Sequence, residues 1–211
     1  MNKEYCFEKT DFDYTNPQAE VVIVGITPGN SQLQGEREGK TLKDIKRENA
    51  FAGNMRPNLI AMLDHIGVNR LLGIESCRSL WEQDFDRVEM TSLLKDATYV
   101  VRKDGKKEMF KDTTAIARDV TLNEHFRNGF VADCCRYTET KLFVACGAGV
   151  YDILMRLKEE GIISAEVAGI VHPSGANSGR IATFLGKRLP KENDCSYLWA
   201  REQGRHRIAI R

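Results

Sequence analysis

One short run constrains the fold more than any other part of the chain. Glu20-Val21-Val22-Ile23-Val24-Gly25 is apolar and rich in β-branched residues. It does not alternate with polar residues, which marks a strand covered on both faces. Three more runs read as strands: residues 88–93, 141–147 and 167–171. Helical spacing lies between them. Leu59, Met62, Leu63 and Ile66 share a face within residues 58–66, and Gly67 follows as a stop. Val150, Ile153, Leu154 and Leu157 share another, with Gly161 after it. Strands alternating with helices predict a parallel sheet covered on both sides. Ligands bind such sheets beyond the carboxyl ends of the strands.

Two of those ends carry distinctive loops. Gly25-Ile26-Thr27-Pro28-Gly29-Asn30-Ser31 follows the first strand. His172-Pro173-Ser174-Gly175-Ala176-Asn177-Ser178-Gly179-Arg180 follows the last. Glycine lets a ligand approach the backbone, and proline stiffens the turn, so the first loop suits a carbonyl or a phosphate. In the second, His172 can donate a hydrogen bond or a proton, and Ser174, Asn177 and Ser178 can contact phosphates. Each loop alone has a plainer reading: a Gly-Pro turn after a strand, and a helix N-cap beside a structural histidine.

Composition bounds the rest. A chain of 211 residues with 42% hydrophobic and 29% charged residues suits one globular domain spanning residues 1–211. No stretch is apolar enough for a membrane span, and residues 1–5 lack a secretory core, so the expected location is cytoplasmic. None of Cys6, Cys77, Cys134, Cys135, Cys146 and Cys195 forms a Cys-x-x-Cys pair, which argues for reduced, mostly buried thiols and no metal. A net charge of +1 is far below that of a general nucleic-acid coat. A local basic face would have to come from residues 40–47 or from the tail 201–211, and both also read as solvated surface.

The two loops together resemble the uracil-DNA glycosylase superfamily, which pairs a Gly-x-x-Pro loop after the first strand with a His-Pro-Ser loop after the last. Ala50-Phe51-Ala52-Gly53 is similar to that family's Phe-containing turn, and Thr91-Ser92-Leu93-Leu94-Lys95 to its base-reading strand end. The resemblance runs from about Val21 to Gly186. Gly-Ile-Thr-Pro-Gly looks most like the mismatch-specific and thymine-DNA glycosylase branch. Phe51 and the Thr-Ser-Leu-Leu-Lys segment look more like the thermostable iron–sulfur branch, but the cysteine spacing does not match a cluster. The resemblance implies a three-layer α/β/α fold around a four-stranded parallel sheet, no cofactor, and DNA containing uracil or a related deaminated base as partner.

By that resemblance the enzyme flips a nucleotide out and hydrolyses its N-glycosidic bond in base excision repair. His172 is then the donor to the base oxygen where charge grows, and Thr27 the residue facing the attacking water. Gly25, Ile26, Pro28, Gly29, Phe51 and Ser92 surround the base, with Phe51 stacking on it. Ser174, Asn177, Ser178 and Arg180 hold DNA phosphates. Thr27 departs from the family, whose active members often carry Asp or Asn there. A hydroxyl binds water but is a poor base, so a binder without chemistry is a second reading and an enzyme of free nucleosides or nucleotides a third. Ser92, where an Asn is common, offers one rotatable hydroxyl instead of a fixed donor and acceptor. His65, His125, His206, Trp81 and Trp199 read as structural.

Overall fold

A computed structural model describes residues 4–10, 14–29 and 38–189. Asn30 and Ser31, Cys195, Trp199, His206 and the basic tail 201–211 lie outside the described residues.

Seven strands are found among them: β1 (Glu4–Glu8), β2 (Val21–Gly25), β3 (Val88–Ser92), β4 (Ala97–Val101), β5 (Lys107–Met109), β6 (Leu142–Cys146) and β7 (Glu166–Ile170). The helices are α1 (Leu42–Asn49), α2 (Met55–Ile66), α3 (Val68–Leu72), α4 (Thr113–Ile116), α5 (Val120–Phe126), α6 (Ala132–Cys134), α7 (Ala148–Glu159) and α8 (Ser178–Phe184). The four runs read as strands form one parallel sheet in the order β3-β2-β6-β7. Every residue of β2 and β6 is buried, as their unbroken hydrophobicity requires. Fully burying one such side chain stabilises by about 1.5–3 kcal/mol.

Strand pleating divides the interior in two. Val21, Ile23, Val88, Met90, Val144 and Ile170 face Leu59, Met62 and Leu63 of α2, Val68 of α3, and Ile181 and Phe184 of α8. Val22, Val24, Phe143 and Ala145 face Leu122 of α5, Phe130, and Val150 and Leu154 of α7. The layers are therefore helix, sheet and helix, as expected.

Two features differ from the expectation, one for a local reason and one for a long-range one. α2 begins at Met55 rather than at 58, because Pro57 sits in the first turn, where no N–H partner is needed. It ends where expected, with Gly67 in the left-handed region at φ 91°. A second, antiparallel sheet in the order β1-β4-β5 was not expected. Its strands pair distant residues, Glu4 with Val101 and Tyr99 with Met109. Tyr5, Phe7 and Val100 pack it onto the α7 side of the main sheet.

No helix among the described residues is long and apolar enough to cross a membrane. Cys77, Cys134 and Cys146 are buried free thiols, Cys6 is partly buried and Cys135 is exposed.

Candidate active site

A cavity of about 640 Å³ opens at the carboxyl edge of the main sheet, within the usual size of ligand pockets. Its first wall is the loop after β2. Gly25, Ile26, Thr27 and Gly29 line it. Pro28 is buried and is not among the lining residues. The loop is bonded to the end of β3: Leu93 N–H donates to the Gly25 carbonyl and Leu94 N–H to that of Ile26, both at 3.0 Å.

Thr27 has a second role. Its hydroxyl donates to the Asp96 carbonyl at 3.0 Å and accepts from the Thr98 N–H at 2.9 Å. The side chain is thus a pin between the loop and the start of β4. One lone pair remains for a water, and the proton is committed.

Ser92, 8% exposed, ends β3 opposite Gly25. Its hydroxyl lines the cavity and has no hydrogen-bond partner among the described residues. Buried hydroxyls are normally paired, so this one is available to a ligand.

Phe51 supplies the next wall and has φ 53°, the one non-glycine residue with positive φ among those described. A bulky side chain in this region is a strained outlier. The turn is held from several sides. Ala50 N–H donates to the Lys46 carbonyl at 2.8 Å, and the Ala50 carbonyl accepts from Trp81 Nε1 at 3.1 Å and Arg56 Nη2 at 3.2 Å. Trp81 is a packing residue, buried, with the Arg56 guanidinium 5.5 Å from its ring centre.

His172 follows β7 and lines the cavity. Ser174 N–H donates to its Nδ1 at 3.3 Å. An accepting Nδ1 carries no proton, so the neutral ring keeps its hydrogen on Nε2. Burial also pushes the imidazole pKa below its ordinary value of 6.5, favouring the neutral form. Asn177 locks the loop, donating from Nδ2 to the His172 carbonyl at 3.1 Å and to Ser174 Oγ at 3.3 Å. Asn58 donates to the Pro173 carbonyl at 2.9 Å. With both amide hydrogens engaged, Asn177 lines the cavity but offers a phosphate no donor. Ser174 Oγ keeps its own hydrogen. Arg180 is exposed at the rim, whereas Ser178 opens α8 outside the lining.

The last wall was not foreseen. Met109, Phe110, Lys111 and Thr113 reach the cavity from the end of β5. Phe110 N–H donates to the Thr98 carbonyl at 2.9 Å, which extends the β4–β5 pairing. Thr113 rests on Gly149 at the start of α7, where an added Cβ would lie 2.1 Å from the Thr113 hydroxyl. Gly147, Ala148 and Val150 complete that side, and Met55, Met90, Thr91 and Cys146 also line the cavity. The Gly147-Ala148-Gly149 run after a strand was the legible signal for this wall. Nothing in residues 107–113 pointed to it.

The cavity's electrostatics are one-sided. Lys111 and Arg180 line it, and no Asp or Glu does among the described residues. The basic stretch 40–47 adds nothing to this field, because its cations are paired: Lys40 with Glu48, Lys43 with Asp86, Lys46 with Glu89 and Arg47 with Asp44. The two other described histidines stay structural. His65 is exposed and tilts against the Phe184 ring at 5.6 Å, and His125 stacks on Phe7 at 3.7 Å.

No family model matches the chain. It is 30% identical over 188 residues to the uncharacterized protein YoxB of Bacillus subtilis (strain 168), an alignment covering 82% of this chain and 71% of that protein. The chain belongs to the YoxB family. Among solved structures, wild-type SMUG2 of Pedobacter heparinus aligns with this YoxB-family chain at a TM-score of 0.48 and 13% identity, over 81% of this chain and 73% of that one.

Proposed function

We propose that this YoxB-family chain is a DNA glycosylase of the uracil-DNA glycosylase type, hydrolysing the N-glycosidic bond of uracil or a related deaminated base. The observation that carries this reading is the neutral His172. Its Nδ1 accepts from Ser174 N–H, so Nε2 keeps a hydrogen to donate, in a cavity that Phe51 and an unpartnered Ser92 hydroxyl also line.

The chemistry follows from those groups. The C1′–N bond breaks with its electron pair leaving on the base. Negative charge grows on the base oxygen, and the Nε2–H of His172 stabilises it there. Removing one preorganised donor of this kind costs roughly 100- to 1,000-fold in rate. Phe51 offers a ring for the flipped base and Ser92 a hydroxyl for its edge. Water then adds to C1′ and gives its proton to solvent. Thr27 can accept one hydrogen bond from that water but cannot take its proton, so the reaction leans on leaving-group stabilisation and is slow.

A second reading is a base- or nucleic-acid-binding protein without chemistry. The engaged Thr27 hydroxyl, and a cavity lined by no carboxylate among the described residues, favour it. One experiment separates the two. Uracil-containing single- and double-stranded oligonucleotides are incubated with the protein and treated with alkali, beside a uracil-free control and His172→Ala. Breaks that need both uracil and His172 support the glycosylase. Binding without breaks supports the second reading.

A further inference from the structure

We infer that Lys111 is a substrate-binding residue, forming with Arg180 a two-point clamp on the phosphates either side of the nucleotide that enters the cavity. This rests on the nucleic-acid reading above and names the part of that substrate which the second sheet recognises.

The two cations reach the cavity from opposite faces of the main sheet. Arg180 sits in α8, whose Ile181 and Phe184 belong to the core on the α2 side. Lys111 follows Phe110 and precedes α4, and Phe110 and Ile116 belong to the core on the α7 side. The carboxyl edge of the sheet, with His172 and the loop after β2, lies between these layers. A strand crossing that edge with one base inserted would have a phosphate near each cation.

Both side chains are exposed, and neither has an ion-pair partner among the described residues. The nearby Asp112 carboxylate accepts from the Thr114 hydroxyl at 2.7 Å and is not part of the lining. A cavity with two cations and no carboxylate among its described lining attracts a polyanion and repels a cationic ligand.

The position of Lys111 is also built. The Thr27 hydroxyl holds the start of β4, β4 pairs with β5, and β5 delivers Lys111 to the cavity, with Thr113 seated on Gly149. Thr27 therefore positions the Lys111 wall of the site, whatever it does for water.

The test is binding of a fluorescent single-stranded oligonucleotide carrying a non-hydrolysable abasic analogue, measured by anisotropy from 50 to 300 mM NaCl. Each phosphate that a side chain neutralises adds about 0.7 to the steepness of log K against log salt on single strands. We expect Lys111→Ala and Arg180→Ala each to lower the slope by that amount and to weaken binding severalfold at 50 mM. The double variant should lose about twice the slope, and Lys111→Arg should keep it. Lys103→Ala, an exposed lysine in the β4–β5 connection, is the control and should match wild type. Circular dichroism and melting confirm that each variant is folded. Wild type that binds while Lys111→Ala keeps its affinity and slope overturns the clamp and leaves the nucleic-acid reading standing. The clamp is likewise overturned if Lys103→Ala loses as much slope as Lys111→Ala. Wild type that does not bind overturns both.

Discussion

The ammonium of Lys46 in α1 is paired with the carboxylate of Glu89 in β3, and the two side chains are 7% and 1% exposed. Lys46 also donates to the Tyr14 carbonyl at 2.7 Å, and Glu89 accepts from the Asn16 N–H at 2.6 Å. Burial pushes the Lys46 pKa down and the Glu89 pKa up, and their mutual attraction opposes both. The pair ties together two walls of the cavity. Phe51 follows soon after Lys46, and Ser92 closes the strand that carries Glu89.

Breaking this pair from one side leaves a buried charge alone. Glu89→Ala is expected to cost about 3–5 kcal/mol in denaturant unfolding, whereas Lys46→Met combined with Glu89→Leu should recover part of that loss and stay short of wild type by about 1–3 kcal/mol, because the buried Asn16 N–H loses its acceptor. A double variant as unstable as the single one would show that packing around the pair, rather than its charge, is at stake.

Thr27→Val keeps the shape of the side chain and removes both of its hydrogen bonds. The Asp96 carbonyl and the Thr98 N–H are then left without that partner, at about 1–3 kcal/mol. Thr27→Ser should retain most of the stability. Thermal melts of the two variants decide whether the hydroxyl is the pin described here.

Phe51 isolates a backbone effect. Both Phe51→Ala and Phe51→Gly remove the ring, but only glycine tolerates φ 53° without strain. The glycine variant should therefore be more stable than the alanine variant by about 1–2 kcal/mol. Equal stabilities would mean that the turn relaxes once the ring is gone.

His172 sets a pH dependence. Its pKa in the folded chain is below the unfolded value, so the unfolded state binds a proton first on acidification. The corresponding stability is present in full above about pH 6.5 and declines as pH falls through the lowered pKa. Base release should hold steady from about pH 8 to about 6.5, with its acid limb below that. His172→Gln should lack this limb in the unfolding profile.

The buried thiols give a simple footprint. Burial pushes Cys134 and Cys146 each up to about 12, and Cys77 upward as well. A thiol reagent at about pH 7.5 should modify exposed Cys135 well before these three, as read by peptide mass mapping.

Local pattern determined much of this protein. The apolar runs of β2 and β6 had to become buried strands, and Gly67 had to stop α2, because burial and backbone freedom are properties of a few adjacent residues. The two loops were legible for the same reason, and His172, Thr27, Phe51 and Ser92 do line one cavity. Only the tertiary structure decided what those residues touch. The antiparallel sheet joins Glu4 to Val101, and the Thr27 hydroxyl meets the backbone near residue 97. The neutral tautomer of His172 depends on one backbone N–H, and the Lys111 wall depends on Thr113 nesting at Gly149. Such contacts arise when long stretches of chain close on one another. Spacing along the sequence records which residues are buried, but not the partners they meet when they arrive.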